Sequence, residues 1–455
     1  MRKIYQIMLM MIFIATLSGC KLGKQYTRPE LDLPAMLNDK TDSISLADYN
    51  WKELYTDSIL QQLISQTLDN NKDMLIAAAK VKELAAMKRI SFAQMLPDIS
   101  GNVYSKQEGL NYGGDAFRHN NESGIKVLAN WELDLWGNLR WAKDKSIAEF
   151  VGSIENQRAI RMSLIAETAR NYFELVALDN ELNIVRKTVD ARRESLHLAR
   201  IRYEGGLTSE TAFRQAQVEL ARTATLVPDL EKKVTLKENE IAFLTGKYPH
   251  HIKRSGFDEE INFAETLPIG LPSTLLERRP DIRKAEQAMI AANAQVGMAF
   301  TDLFPRISLT AGYGVESKEL SDLLKSPFQL LSANIIQPIF AMGKKRAMVK
   351  AKKAALEQAS LTYEKTVLAA FKETYNAITE FNKTKQIYQT RLKLEQASKS
   401  SLDLAQLQYI NGVIGYIDLL DAQRGYLDAQ IGLSNAIRDQ QITIVNLYKA
   451  LGGGW

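Results

Sequence analysis

Residues 270–314 read GLPSTLLERRPDIRKAEQAMIAANAQVGMAFTDLFPRISLTAGYG, and they pass from helix to strand across one proline. Leu271-Pro272-Ser273 offers an entry turn, with Ser273 as N-cap. Pro280 biases Arg279 away from the helical region. Pro280 and Asp281 then open a second helix, with an acid near the positive end of its dipole. Small residues (Ala285, Ala288, Ala291, Ala292, Ala294, Gly297) let another helix approach this one closely. Phe304-Pro305 stops it. Ile307, Leu309, Ala311, Tyr313 and Val315 then alternate with other residues, the period of a strand with one apolar face.

The same passage occurs earlier. Met95-Leu96-Pro97-Asp98-Ile99-Ser100 parallels Leu303-Phe304-Pro305-Arg306-Ile307-Ser308, at an offset of 208. Gly137 and Gly343, Tyr203 and Tyr409, Gly206 and Gly412, and Gly246 and Gly452 repeat at an offset of 206. So steady an offset argues for one unit present twice, over residues 51–262 and 263–455, behind a leader (1–19) and an extended tail (20–50). Each copy reads helix, strand, turn, strand, very long helix, turn, long helix. Copy one begins with helices over Trp51–Asn70 and Asp73–Gln94. Its strands, about 99–107 and 124–134, flank an exposed loop over Leu110–Asn121. The strands of copy two are about 307–316 and 328–338. Leu139–Tyr203 and Lys344–Tyr409 contain no proline, and at that length each helix reaches roughly 100 Å. Helices so long need partners side by side to bury one stripe. Pro228 should bend the helix that follows Gly206.

Composition agrees with a mainly α chain carrying a small β part. Glycine (25) and proline (11) are few for 455 residues, as in long helices. The net charge of +5, nearer +3 without Arg2 and Lys3, is spread along helix faces and excludes a nucleic-acid footprint. Arg2 and Lys3 followed by apolar Ile4–Leu17 read as a secretory leader, too short to span a bilayer comfortably. Leu17-Ser18-Gly19-Cys20 resembles the bacterial lipobox, which makes Cys20 a lipidation site and the lipid the only covalent addition expected. Lys21 is not the aspartate that resembles an inner-membrane retention signal, so the outer membrane is favoured. No later segment is apolar for long enough to be a spanning helix, so a membrane crossing must be made by strands in a closed barrel. Four strands cannot close one, and small barrels start at about eight. A membrane-spanning chain must therefore associate with copies of itself.

Several motifs carry a family resemblance across nearly the whole chain. LPSxLLxRRPDIRxAE, AxAxxG and LFPRISLTxxYG resemble the outer membrane factors of tripartite efflux systems, the TolC/NodT-type family. So do Tyr26-x-Arg28-Pro29, Trp131-Glu132-Leu133-Asp134-Leu135-Trp136-Gly137, Gln337-Pro338-Ile339-Phe340, Leu419-Leu420-Asp421-Ala422-Gln423-Arg424 and the end Lys449–Trp455. The resemblance implies a homotrimer: a twelve-stranded outer-membrane β-barrel continued by a periplasmic α-barrel of long helices. It implies a passive exit duct, opened at its periplasmic tip by an adaptor protein and energised by an inner-membrane transporter.

Candidate residues follow. Asp418 and Asp421, three apart, share a helix face in the last turn region. The resemblance makes them acidic rings at the tip constriction, with Tyr409 at the family's tyrosine position; Ile414 stands where some members are basic. Alternatively both acids simply favour a helix dipole. Gly205, Gly206, Asn411 and Gly412 form turns that resemble adaptor-docking sites, Asn411 or Gly412 taking the left-handed conformation. Trp131 and Trp136 read either as anchors at a membrane–water interface or as core tryptophans. No enzyme motif appears, no cofactor is implied, and the histidines (119, 197, 250, 251) lack ligand spacing beyond one adjacent pair. A duct for type I protein secretion and a non-pore, lipid-anchored coiled coil remain as rival readings.

Overall fold

The computed structural model describes residues 21–33, 45–111, 113, 118–257, 268, 272–337 and 339–455. The leader and Cys20 lie outside them. The helices are α1 (Trp51–Leu54), α2 (Ser58–Asn70), α3 (Lys72–Ala93), α4 (Asn138–Glu204), α5 (Glu210–Ala224), α6 (Leu226–Leu244), α7 (Pro272–Arg278), α8 (Pro280–Thr301), α9 (Lys344–Ile410) and α10 (Tyr416–Ala450). The strands are β1 (Asp98–Leu110), β2 (Arg118–Leu133), β3 (Arg306–Ser317) and β4 (Pro327–Ile336). The chain is thus mainly α with one small sheet.

The repeat is visible in the backbone. Helices α4 and α9 are each 67 residues long. Four helices end in the same left-handed glycine turn, at Gly206 (φ +71°), Gly246 (+70°), Gly412 (+74°) and Gly452 (+86°). In each, the N–H after the glycine reaches back five residues, as Leu207 does to Arg202 O and Val413 to Gln408 O, both at 2.8 Å. Gly412, not Asn411, takes the left-handed position.

Local chemistry moves some boundaries. Helix α7 begins at Pro272, so Ser273 lies in its first turn and not at the cap. The Trp51–Asn70 helix is two, because Asp57 Oδ1 accepts from the N–H groups of Ile59 (2.8 Å) and Leu60 (3.2 Å) and starts α2 afresh. The loop expected over 110–121 is shorter, since pairing continues to Leu110↔Arg118. Pro228 acts upstream of itself: it has no N–H for the Ala224 carbonyl, and the helix breaks at Thr225.

The chain divides into two compact units, and neither is a repeat; each takes segments from both copies. The first (1–31, 79–154, 284–365) holds the antiparallel sheet, in the order β1-β2-β3-β4. The β2–β3 ladder joins copy one to copy two. On one face the rows Ile99–Ala129–Ala311–Leu331 and Val103–Ile125–Val315–Pro327 lie side by side. Ile99, Val103, Val127, Tyr313, Leu331 and Ile335 are exposed there, although they are apolar or aromatic. The other face carries polar rows such as Asp98–Asn130–Thr310–Ser332. Three side chains of 131–137 have a task in this unit. Trp131 Nε1 donates to Met95 O (3.0 Å) and Trp136 Nε1 to Pro305 O (2.7 Å). Asp134 accepts from the N–H groups of Leu139 and Arg140, both at 3.0 Å, and so caps α4. The tail packs here too: Lys21 pairs with Asp144, and Arg28 forks onto Glu286 at 2.7 and 2.6 Å.

The second unit (32–78, 155–283, 366–455) is helical. Tyr172, Leu175, Val185, Leu230, Ile241, Ile437 and Val445 are buried in it. The RRPDIR segment also belongs here. Buried Arg279 donates to Ala450 O (3.0 Å), closing the end of α10, and pairs with Asp281 (2.6 Å) and Glu373 (2.8 Å). Among the described residues no helix is long and apolar enough to cross a membrane.

Candidate functional site at the paired turns

The second unit holds both helix turns that the repeat produces, Gly205–Ser209 and Asn411–Gly415. Arg202 links them. Its Nη1 donates to the carbonyls of Tyr409 (3.0 Å) and Ile410 (3.4 Å), the last of α9, and its guanidinium lies 4.9 Å from the centre of the Tyr409 ring. Arg202 belongs to the last turn of α4, so copy one caps a helix of copy two. The Tyr409 ring is only 4 % exposed and meets Tyr416 edge-on at 5.8 Å. Burial pushes both phenols up. Ala199, Ala212, Ala216, Ala405, Leu419 and Leu420 complete this small core.

A cavity of about 710 Å³ lies beneath the turns, between α4, α9 and α10. Arg192, on its wall, is 2 % exposed and donates to Gln423 Oε1 at 2.5 Å, while Gln423 Nε2 donates to Ser195 Oγ at 3.1 Å. Burial pulls the Arg192 guanidinium below its ordinary value. Beside it, Arg424 of α10 forks onto Glu219 of α5. That hydrogen bonding holds the Glu219 carboxyl below the usual carboxylate range.

The two aspartates lie apart from Tyr409. Asp418 and Asp421 are exposed and line a groove with Ser398, Gln408 and Ile414. Asp418 Oδ2 accepts from the Gly415 N–H at 3.0 Å, so this carboxylate caps α10. The structure therefore groups the acids on one surface and sets the tyrosine in the core behind the turn. Gly205, Gly206, Asn411 and Gly412 are all exposed. Arg192, Arg202 and the Glu219–Arg424 pair were not singled out from sequence. Their signal was faint: charged residues at spacings that place them on an otherwise apolar stripe. Trp131 and Trp136, in the first unit, are half-buried with both indole N–H groups satisfied by backbone. Among the described residues no cluster of three or more His, Cys, Asp or Glu could hold a metal ion.

The model of the outer membrane efflux protein family matches residues 63–247 and 271–453. The solvent efflux pump outer membrane protein SrpC of Pseudomonas putida is 31 % identical, over 98 % of this chain and 97 % of its own. The cation efflux system protein CusC of Escherichia coli (strain K12) is 27 % identical, over 96 % and 97 %. Among solved structures, the outer-membrane channel OprN superposes with a TM-score of 0.90 at 28 % identity, covering 96 % of this chain and 100 % of that one. The open state of the MtrE outer membrane channel of Neisseria gonorrhoeae gives 0.87 at 28 %, covering 96 % and 98 %.

Proposed function

The chain belongs to the outer membrane efflux protein family, and on that premise we propose that three copies share one duct through the outer membrane. The protein is an outer-membrane exit channel of an efflux system. Its four strands form an open sheet whose outer strands, β1 and β4, pair with nothing else among the described residues. Unpaired edges in hydrocarbon leave backbone groups unsatisfied, so the sheet must be closed by further copies. Three chains bring twelve strands, enough for a barrel with an aqueous centre. The exposed apolar face then meets lipid and the polar face lines the lumen.

The observation that carries this reading is a difference between the copies at one motif. Residues 131–137 are buried or half-buried, but among their counterparts the large side chains are bare: Ile339 is 98 % exposed, Phe340 82 % and Met342 84 %. In a ring of identical chains, the uncovered end of copy two would meet copy one of the next chain. Lipid on Cys20 would hold the tail at the membrane. Asp418 and Asp421 would face the lumen at the periplasmic end, and Tyr409, clamped by Arg202, would fix the turn that carries them. A periplasmic adaptor docking on Gly205–Gly206 and Asn411–Gly412 would open that end, and an inner-membrane transporter would supply the energy. The duct itself performs no catalysis. The test is the native mass of the protein extracted from outer membrane in mild detergent. Three chains per particle support the shared duct; a monomer would overturn it.

A further inference from the structure

On the polar face of the sheet one ammonium group is surrounded by two aromatic rings, a hydroxyl and two carboxylates. The Nζ of Lys126, on β2, lies 4.1 Å from the centre of the Phe328 ring and 4.8 Å from that of Tyr104. It donates to the Tyr104 hydroxyl at 2.7 Å, pairs with Glu316, and stands 3.9 Å from Glu122. The Tyr104 hydroxyl in turn lies within hydrogen-bond reach of both carboxylates. The strands are cut to hold these rings. A Cβ on Gly124 would sit 2.7 Å from the Tyr104 ring, and one on Gly312 would press on the side chains of Leu128 (2.8 Å) and Phe328 (3.3 Å). Glycines thus make room for two aromatic faces, two carboxylates and a hydroxyl around one cation.

Aromatic faces combined with carboxylates are the chemistry that recognises organic ammonium ions. We propose that this is an ammonium-binding cage which the chain fills with its own Lys126, so that cationic organic cargo finds no lodging on the wall. The cage is a property of the sheet alone; its place on a lumen wall rests on the duct reading above. Two carboxylates against one ammonium leave the site negative overall, so an emptied cage would attract a free cation.

The test uses tetraethylammonium and the detergent-extracted, assembled protein. By calorimetry, Lys126→Ala should bind the ion at least about tenfold more tightly than the wild type, and adding Phe328→Leu should reverse the gain. Equal affinities for wild type and Lys126→Ala would overturn the cage. Should Lys126→Ala fail to assemble, Lys126→Thr keeps a strand-forming residue at that position. Reductive methylation of the wild type needs no variant. Lys126 should react about tenfold more slowly than the exposed Lys106 of β1, and equal rates would again overturn the proposal. Native mass separates the two readings. Binding by monomers leaves the cage and removes the duct. Trimers without binding leave the duct and remove the cage.

Discussion

Helices α4 and α9 are each 67 residues long and begin and end at matching positions of the repeat, yet their surroundings differ. Along α4, Met162, Ile165, Ala169, Tyr172, Leu175 and Val185 are buried. Along α9, Leu361, Leu368, Ile387, Leu404 and Leu407 are exposed. The turns at their ends differ in the opposite sense. Tyr203 is exposed and stacks on Phe213 at 5.9 Å, whereas its counterpart Tyr409 is buried. Asp418 and Asp421 answer to Ala212 and Gln215 in copy one. The returning helices diverge as well: copy one is broken at Thr225 by Pro228, while α10 runs unbroken for 35 residues, with Ser434 in the place of the proline. Duplication supplied two equal frames. Of the two long helices α4 is the more enclosed, while α9 keeps more apolar surface uncovered and copy two carries the pair of acids at its turn.

The largest expected effect breaks the bare apolar surface of copy two. Ile339→Asp combined with Phe340→Asp should abolish assembly, read as monomers by native mass. Intact trimers would show that these bare residues join nothing. Next comes a swap of the helix break. Ser434→Pro should cost about 3 kcal/mol in unfolding experiments, because the proline removes a helix hydrogen bond. It also deletes the bond that Asn180 donates to Ser434 at 3.0 Å. Pro228→Ser should change stability by less than about 1 kcal/mol while joining α5 to α6. Equal costs would mean that the two helices bear equal load.

Arg424→Ala removes the pair that ties α5 of copy one to α10 of copy two. Glu219 is almost enclosed, but Arg424 is 45 % exposed, so the loss is discounted to about 2 kcal/mol. The sign with pH follows from a depressed carboxyl: stabilisation is complete above the unfolded value, near about 4.3, and disappears as pH falls through the lower folded value. Thermal melts at pH 7 should therefore separate wild type from Arg424→Ala, and the difference should shrink as the melts are taken to ever lower pH. Gly412→Ala should cost about 1 kcal/mol through its positive φ alone, because only the Arg202 side chain, at 3.9 Å, lies within 4 Å of the new methyl group. Asp421→Ala should leave melting unchanged yet lower the preference of bilayer currents for cations; unchanged selectivity would remove Asp421 from the lumen.

The sequence was most legible where chemistry is local. Pro280, Phe304-Pro305 and Gly206 or Gly412 fix φ or remove a donor within a few residues, and the helix ends fall beside them. Alternation over 307–315 placed β3, but it could not show that β2 and β4 flank it. The candidate site was legible in its turns and acids. It was not legible in Arg202, Arg192 or Arg424, whose partners lie more than 200 residues away in sequence. For the same reason the enclosure of Lys126 was hidden. Its lysine and aromatics read as ordinary strand residues until the ladder aligned Asn102, Lys126, Gly314 and Phe328 in one row.

The seam between β2 and β3 has a consequence for timing. Ser123 pairs with Ser317, and Leu133 with Ile307, so the centre of the sheet waits for strands from both halves of the chain. Hairpins β1–β2 and β3–β4 are local and can form early, but their union must close a long loop, a slow step. During synthesis the first hairpin precedes its neighbour by the whole stretch from α4 to α8. Over that interval its edge and apolar face lie open to misassociation, which gives the cell a reason to keep this chain escorted until its second hairpin has emerged.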